Sequence, residues 1–399
     1  VSVVCADIDE GLISRLRAGD LPITEPQFAE LLSKNADHIE FSSDLGALKG
    51  CDVVYVAPDV ATDDAGHSDL SVIDSLLVAA ASNIRPDAVL VVLSQVPPGF
   101  TRARSAVHDL LFYQVETLIF GRAMERALYP ERYIIGAGNP AAEIPTAYQA
   151  YLELFSCPIL KMRYESAELA KISINCCLVA SISVANTLAE LCEETGADWS
   201  EIVPALKLDK RIGPSSYLAP GLGIAGGNLE RDLATVMELA ATHGTDSGVV
   251  SSWVANSAHR KSWPYRTLRR VILDRKSDAH VAVLGLAYKE DTHSTKNSPS
   301  LALIEQLQDC RITVFDPVVP ASAAPGVEGR ENAMDAVLGA DVLVIMTPWA
   351  VFRDLDPRDL AKAMGGRIIL DPYKVLGQAA ALSAGLEYYT LGVASESAN

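Results

Sequence analysis

The chain is poor in basic residues for its length. Its 399 residues include 33 Lys and Arg against 51 Asp and Glu, which gives a formal net charge of -18. Such a surface repels phosphate backbones and anionic membranes unless basic side chains are locally concentrated. The most basic stretch, residues 260–276, mixes Lys and Arg with aromatic and acidic residues, a composition typical of the solvated face of a helix. We therefore expect neither a nucleic acid nor a membrane as partner.

Cysteine is scarce and shows no metal-binding spacing. None of the seven cysteines forms a C-x-x-C pair, and most lie in apolar runs, where a thiol behaves as a small hydrophobic group. They are Cys5, Cys51, Cys157, Cys176, Cys177, Cys192 and Cys310. The pattern indicates neither a disulfide framework nor a zinc site, so we predict no bound metal.

The sequence also shows no pattern typical of a membrane-spanning helix or of a leader peptide. No apolar run is read as long enough to span a membrane, and no charged start followed by an apolar stretch is seen. Together with the scattered cysteines, this predicts the reducing cytoplasm as the compartment.

The residues that are present favour a protein with several cores. Apolar residues make up 49% of the chain, enough for two or three domains. Strand-like runs at residues 1–9, 51–58 and 88–99 alternate with helical segments, and this β-α-β order predicts parallel strands. The same order returns after residue 277. Between the two regions, a long helix-period stretch ends at Gly196, a residue suited to a helix C-cap.

These patterns predict an α/β fold with two Rossmann-like, doubly wound parallel-sheet domains joined by a long central helix. We place the domains at residues 1–163, 164–276 and 277–399. A helix so long and apolar is expected to be buried against other helices and against a second subunit, which predicts a homodimer.

A series of motifs in the expected order points to one family. They include ADID with PITEP, APDVATDDAGHSDLS, LSQVPPGFTR, ERALYPERYIIG, ESAELAKISIN, LDKRIGPSSYLAPGLGIAGG and GLAYKEDTHSTKNSPS. Along essentially its whole length the chain resembles the UDP-glucose/GDP-mannose dehydrogenases. The resemblance implies an N-terminal domain that binds NAD, a central dimerisation domain and a C-terminal domain that binds the nucleotide sugar, most often a UDP-sugar.

The resemblance also implies a reaction. Members of the family oxidise the C6 alcohol of a nucleotide sugar to the acid in two NAD-dependent steps, and an active-site Cys traps the intermediate aldehyde. Thiolate addition is needed because a free aldehyde donates hydride poorly, whereas the thiohemiacetal loses hydride and forms a thioester.

Three residues match catalytic positions of the family. Lys171 and Asn175 lie four residues apart, so in a helix they share one face and can direct an ammonium and an amide at one oxyanion. Asp232 matches the family's catalytic Asp, which acts as a base. The alternatives are a surface lysine, a buried and satisfied amide, and a carboxylate that stabilises a helix N-terminus.

Three further catalytic positions depart from the family pattern. Asn228, in GLGIAGGNLERD, stands where the family has its nucleophilic Cys. Gln95 replaces the Thr expected beside the S-x-V-P-x-G motif. Glu116 matches a Glu associated with thioester hydrolysis, but its flanking residues differ. Because an amide cannot replace a thiolate, we expect the covalent second oxidation to fail.

The substrate positions are largely retained. The resemblance assigns substrate contacts to Arg211, Tyr217, Gly223, Lys289 and Tyr373. In the family the arginine is offered by the neighbouring subunit. Tyr373 stands where an Arg is expected, and the adjacent lysine supplies only a point charge in its place. Lys289 has a second interpretation, as a solvated residue at the end of a strand.

On the cofactor side, the resemblance assigns NAD contacts to Asp7, Asp59 and Lys296. Asp7 follows a strand and suits ribose hydroxyls, although it or Asp9 also suits a helix cap. The N-terminal segment lacks the Gly-rich turn that holds pyrophosphate. We therefore expect an N-terminal piece, with the first strand of this domain, to be missing from the sequence.

The preferred hypothesis is an NAD-dependent oxidoreductase that acts on a nucleotide-activated hexose, most readily a UDP-sugar. Loss of the Cys leaves two outcomes open: a two-electron product such as the 6-aldehyde, or oxidation of the hydrated aldehyde without a covalent intermediate. One alternative is a non-catalytic nucleotide-sugar-binding homologue. The other is a redox-neutral enzyme that uses NAD transiently, such as an epimerase or a decarboxylase.

Overall fold

The computed structural model describes residues 1–23, 25–63, 66–119 and 121–394. The chain divides into two compact units, Val1–Ile174 and Asn175–Asn399. The division falls inside the 32-residue helix Tyr164–Thr195.

The first unit is built on a mixed sheet of five strands. Its strands are β1 (Val3–Ala6), β2 (Ile39–Ser42), β3 (Val53–Val56), β4 (Ala61–Thr62), β5 (Ser68–Asp69), β6 (Val89–Val92), β7 (Leu111–Gln114), β8 (Tyr133–Ala137) and β9 (Ile159–Arg163). Its helices are α1 (Glu10–Arg17), α2 (Phe28–Lys34), α3 (Ser71–Asn83), α4 (Phe100–Ala103), α5 (Ala123–Leu128), α6 (Thr146–Glu153) and the start of α7 (Tyr164–Thr195). Short 3-10 helices are Ala36–His38 and Leu45–Gly50.

The strand order of the main sheet is β3-β6-β7-β8-β9. All of its pairs are parallel except β7 with β8, which is antiparallel. Strands β1 and β2 form a separate parallel pair, and β4 and β5 form an antiparallel pair. Strand β6 is buried along its whole length, as expected for an apolar strand covered on both faces. The parallel strands predicted near the N-terminus are confirmed, and the antiparallel pairs β7-β8 and β4-β5 add to them.

The second unit combines helices with a sheet of six parallel strands. Its helices are the rest of α7, α8 (Trp199–Leu208), α9 (Asn228–His243), α10 (Gly248–Lys261), α11 (Trp263–Leu268), α12 (Pro299–Gln306), α13 (Ala333–Val337), α14 (Pro357–Ala363) and α15 (Gln378–Ser383). Its strands are β10 (His280–Leu284), β11 (Arg311–Phe315), β12 (Glu328–Gly329), β13 (Val342–Ile345), β14 (Ile368–Leu370) and β15 (Glu387–Tyr389). A π-helical turn covers Arg269–Leu273, and short 3-10 helices are Ala321–Ala323 and Ala350–Asp354.

The strand order of this second sheet is β12-β11-β10-β13-β14-β15. The chain therefore leaves β10 toward one edge and then returns to its other side at β13. Doubly wound sheets bind ligands outside the carboxyl ends of their strands at such a reversal. The order predicts a ligand crevice beside the residues that follow β10 and β13.

Helix α7 corrects one expectation from the sequence. It has 32 residues, and an 18-residue window reaches a mean hydropathy of 1.7, so by length and composition it is able to cross a membrane. The core helix of a globular protein passes the same test. Its buried residues Ala185, Ala189 and Cys192 pack with Trp199 and Leu218, as in such a core. The helix ends before Gly196, whose φ of +78° confirms the predicted C-cap.

A second correction concerns the basic stretch 260–276, which is not simply a solvated face. Arg260 is fully buried and pairs with two glutamates of α7, Glu190 at 3.3 Å and Glu193 at 3.1 Å. Trp263 donates its indole N–H to Glu193 at 2.9 Å. This group of residues, called the Arg260 network below, ties α10 and α11 to α7.

Candidate active site and cofactor-side loops

The second unit brings two predicted catalytic residues into direct contact. Asn175, on α7, donates its side-chain N–H to the carboxylate of Asp232, on α9. Asp232 is 1% exposed and Asn175 is 8% exposed, so water competes little for this bond. The guanidinium Nε of buried Arg231 lies 3.8 Å from the other carboxylate oxygen. An amide and a positive charge thus hold a buried carboxylate in one orientation.

Asn228 is the first residue of α9, and Gly227 before it has a φ of +96°. Its side chain is exposed, and it lies four residues before Asp232, so both residues share one face of the helix. The position predicted for a nucleophile is therefore an exposed amide one helical turn from the buried carboxylate.

Cys176 is adjacent to Asn175 in sequence, which raises the question of whether its thiol replaces the missing nucleophile. Burial raises the pKa of Cys176, and the negative Asp232 and neighbouring Cys177 raise it further. A thiol with a raised pKa stays protonated and reacts poorly. The surroundings of Cys176 therefore disfavour its thiolate form.

The glycines of the loop 221–227 are required for close packing. The amide of Gly221 donates to the side chain of Asn186 at 2.8 Å, and the amide of Ile224 donates to Ser257 Oγ at 2.7 Å. A Cβ atom at Gly223 would lie 2.5 Å from the carbonyl oxygen of Ser257. No strand precedes this loop, so its Gly spacing does not form a strand-turn-helix dinucleotide motif.

Gly226→Ala tests this packing. Gly226 has a φ of +92°, and an added Cβ would lie 2.6 Å from the ring of Tyr288. We expect the variant to lose about 1–3 kcal/mol of unfolding free energy in urea, since the left-handed conformation is strained for Ala. Gly221→Ala is the control, because its Cβ would meet nothing within 4 Å. Equal stability of the two variants would contradict the steric argument.

The segment after β10 packs against the same loop. The amide of Gly226 donates to the carbonyl oxygen of Lys296 at 3.1 Å. The Lys296 stem lies against Gly227, since a Cβ there would be 3.3 Å from Lys296 Cγ. The ammonium of Lys289 lies 5.8 Å from the ring centre of Tyr288. Two predicted ligand-binding lysines thus follow the strand at which the sheet order reverses.

The remaining predicted substrate residues are dispersed over the second unit. The Arg211 side chain is 89% exposed and pairs with Asp209 at 2.6 Å. Tyr217 is exposed. Tyr373 follows β14 and packs against the core, and burial, followed by the negative Asp371, raises its pKa. Tyr373 is therefore a neutral aromatic group at the position for which the resemblance predicts an arginine.

In the first unit, the loops after β3, β6 and β7 carry three predicted residues. These strands are neighbours and parallel, so their carboxyl ends meet at one edge of the sheet. Asp59 follows β3 and accepts from the amide of Val60 at 2.9 Å. Gln95 follows β6, and Glu116 follows β7 and accepts from the amide of Leu118. The topology therefore collects all three at the edge where ligands bind.

Lys171 also belongs to the first unit. It is half-buried on α7, one helical turn before Asn175, which confirms the helical spacing predicted for this pair. Two buried residues that the sequence did not single out also lie in this unit. Glu25 and Glu168 each accept hydrogen bonds from backbone amides far away in the chain.

Two carboxylates follow β1 in the first unit and have different partners. Asp7 follows β1 and accepts from the amide of Asp9 at 2.9 Å. Asp9 is the N-cap of α1 and accepts from the amides of Gly11 and Leu12. Asp9 therefore caps α1, and Asp7 remains the carboxylate predicted from the sequence to contact ribose hydroxyls. Across the described ranges, no group of three His, Cys, Asp or Glu side chains is arranged to hold a metal.

Comparison with protein families gives one consistent result. Three models of the UDP-glucose/GDP-mannose dehydrogenase family match the chain. They are the NAD binding domain at residues 1–155, the central domain at 165–257 and the UDP binding domain at 282–378.

Individual relatives agree with the family models. A UDP-glucose 6-dehydrogenase of Rhizobium meliloti is 32% identical over 98% of this chain and 94% of its own length. A UDP-glucose 6-dehydrogenase of Haloferax volcanii is 30% identical with the same coverage. A UDP-glucose dehydrogenase structure from Pyrobaculum islandicum aligns with a TM-score of 0.86 and 26% identity, covering 98% of this chain and 92% of that chain.

Proposed function

Because the chain belongs to the UDP-glucose/GDP-mannose dehydrogenase family, we propose that this NAD-dependent nucleotide-sugar dehydrogenase oxidises C6 of a UDP-hexose and releases the aldehyde. The family supports NAD as cofactor and a nucleotide sugar as substrate. The identity of the hexose, the nucleotide and the product are our proposal.

The contact between Asn175 and Asp232 carries the catalytic part of the proposal. We propose that Asp232 accepts the proton of the C6 hydroxyl while hydride leaves the same carbon. Asn175 holds the carboxylate, and Lys171, one helical turn earlier, stabilises the negative oxygen that develops. Bound NAD supplies the hydride acceptor, and Asp7, Asp59 and Lys296 are the residues proposed to hold it.

The proposed product, the aldehyde, depends on the presence of Asn228 in place of a cysteine. A thiolate there would add to the aldehyde and allow a second hydride to leave, whereas a neutral amide does not add. Cys176 has a raised pKa and does not provide an alternative. The reaction therefore ends at the aldehyde or its hydrate, and the thioester linked to Glu116 in the family does not form. Gln95 remains a proposed polar contact to the reacting centre.

The nucleotide is proposed to bind in the second unit, at the reversal between β10 and β13. Lys289 follows β10, and Tyr373 follows β14 at the same edge. Lys289 offers a positive charge to phosphate, and Tyr373 offers an aromatic surface. Gly223 permits close approach of the loop backbone. Tyr217 and the exposed Arg211 complete the proposed substrate contacts.

We propose a cytoplasmic homodimer that uses α7. Its residues Cys177, Val184, Leu188 and Leu191 are exposed and recur at spacings of three, four and seven residues. That spacing places them in one stripe of the helix. An apolar stripe exposed on one copy is buried when a second copy packs against it.

The stoichiometry of the reaction tests the proposal. UDP-, GDP- and TDP-hexoses are supplied with NAD, and NADH formed per sugar consumed is measured with hydroxylamine present. We expect one NADH per UDP-sugar and a trapped aldehyde. Two NADH per sugar would show that the acid forms without a thiol. Absence of NADH with every sugar would favour a binding protein or a redox-neutral enzyme.

Asn228→Cys tests whether a thiol at this position restores the second oxidation. A thiol at the first turn of α9 gains thiolate character because a helix N-terminus lowers its pKa. We expect the ratio to rise from one toward two NADH per sugar, with less aldehyde trapped. Asn228→Ser is the control, since it has similar size and no thiol. An unchanged ratio in the Cys variant would contradict a role for this position in the second oxidation.

A further inference from the structure

We infer that Glu168 and Glu25 are positioning residues that fix the two loops carrying Gln95 and Glu116. Each carboxylate holds its loop through two backbone amides two residues apart. The kinetic part of the inference rests on the proposed function, whereas the structural part does not.

Glu168 lies on α7, in the turn before Lys171, and is fully buried. Its two carboxylate oxygens accept from the amide of Gly99 at 2.6 Å and the amide of Thr101 at 2.8 Å. Gln95 lies between this contact and the end of β6. The loop is therefore held at both ends, by the strand and by the helix that carries Lys171. Glu168 thus relates the position of Gln95 to that of Lys171 within the first unit.

Glu25 repeats the arrangement on the neighbouring loop. It is 9% exposed and lies between α1 and α2. Its carboxylate oxygens accept from the amide of Gly121 at 2.7 Å and the amide of Ala123 at 3.3 Å. Glu116 lies between this contact and the end of β7. The segment after β7 is thereby anchored to a distant part of the chain.

Both contacts differ from ordinary helix capping. A capping side chain comes from within a few residues of the helix start, as Asp9 does for α1. Glu168 and Glu25 act across 67 to 98 residues of sequence. Burying a carboxylate is costly, and burial raises the pKa of Glu168 although the amides of Thr101 and Gly99 oppose that rise. The buried carboxylate fixes the position of the loop, and this offsets the free-energy cost of its burial.

The test compares amide exchange with turnover in two variants. Glu168→Gln and Glu25→Gln each keep the side-chain shape but turn an N–H group toward one of the two amides. We expect hydrogen–deuterium exchange to rise in residues 94–101 for the first variant and in residues 115–124 for the second. For Glu168→Gln we expect kcat to fall by about 10–100-fold while the KM for sugar changes by less than about 3-fold, since displacing catalytic groups by about 1 Å has effects of this size. For Glu25→Gln we expect kcat to stay within about 2-fold of wild type, because the proposed reaction ends before the step linked to Glu116.

Each of the two variants has a control in which an exposed glutamate of a nearby helix is changed to glutamine. Glu165 lies three residues before Glu168 on α7. Glu165→Gln loses only an exposed ion pair, in which Arg102 Nε lies 2.8 Å from Glu165 Oε1. Glu30→Gln changes an exposed residue of α2 near Glu25. Neither control is expected to change exchange in residues 94–101 or 115–124. Glu168→Asp retains the charge on a shorter side chain and is expected to recover part of the lost kcat.

The readouts separate the possible failures. Unchanged exchange in both loops would refute the positioning role whatever the activity. Raised exchange in residues 94–101 with unchanged kcat in Glu168→Gln would refute the link between Glu168 and turnover. If the wild-type protein forms no NADH with any sugar, the proposed function fails, and the exchange data still decide the structural part. If a variant does not fold, rapid exchange at Gly99 and Thr101 in the wild-type protein would refute the contact directly.

Discussion

Asp232→Asn is expected to lower kcat by about 10²–10⁴-fold, the range attributed to a general acid or base. An Asn at this position still accepts the N–H of Asn175 through its side-chain oxygen, so the contact between α7 and α9 is retained. The variant loses the ability to accept a proton and the negative charge that lies 3.8 Å from Arg231 Nε. The change is measured as NADH formation at saturating UDP-sugar, with thermal unfolding as a check on folding.

Glu238→Gln serves as the control for this experiment. Glu238 is an exposed carboxylate on the same helix, so its loss removes an equal charge away from the buried pair. We expect its kcat to stay within about 2-fold of wild type, as surface changes away from special features have small effects. Comparable kcat losses in both variants would remove Asp232 from the proposed chemistry.

Arg260→Met is expected to reduce the free energy of unfolding by about 3–5 kcal/mol, the cost of removing one partner of a buried ion pair. Met fills much of the Arg volume, so the loss reports charge rather than a cavity. Glu190 and Glu193 would lose their contacts with the buried guanidinium. Urea unfolding of the whole protein measures the effect.

Arg266→Met is the matched control for the Arg260 network. Arg266 also pairs with Glu190, at 3.0 Å, but its side chain is 42% exposed. Exposed pairs contribute about 0–1 kcal/mol, so we expect a correspondingly small loss. A combined Arg260→Met, Glu190→Gln and Glu193→Gln variant is expected to recover part of the stability. If Arg260→Met loses no more free energy of unfolding than Arg266→Met, the buried Arg260 network does not stabilise the protein more than an exposed ion pair does.

The elements defined by local pattern were predictable from the sequence. Alternating β-α-β runs gave the parallel strands of both units, and helical spacing with Gly196 gave the end of α7. Pairing between distant strands was less accessible, because a run of apolar residues does not reveal its partner. The separate β1-β2 pair and the antiparallel β7-β8 pair therefore came from the structure alone.

The candidate site shows the same limit. Helical periodicity relates Lys171 to Asn175, whereas the contact of Asn175 with Asp232 spans 57 residues and no local pattern predicts it. Glu25, Glu168 and Arg260 were missed because their partners are far away in sequence. A charged residue whose helical neighbours are apolar is the one local signal that would have found Glu168.

The continuity of α7 limits how this protein can be recombined with its relatives. The division between the compact units, at Ile174 and Asn175, has no loop at which one segment can be exchanged for another. A junction there joins two half-helices whose backbone bonds and side-chain stripes must match in register. A chimera should therefore inherit residues 164–195 from a single parent, so that this helix is the unit of inheritance rather than either half of the chain.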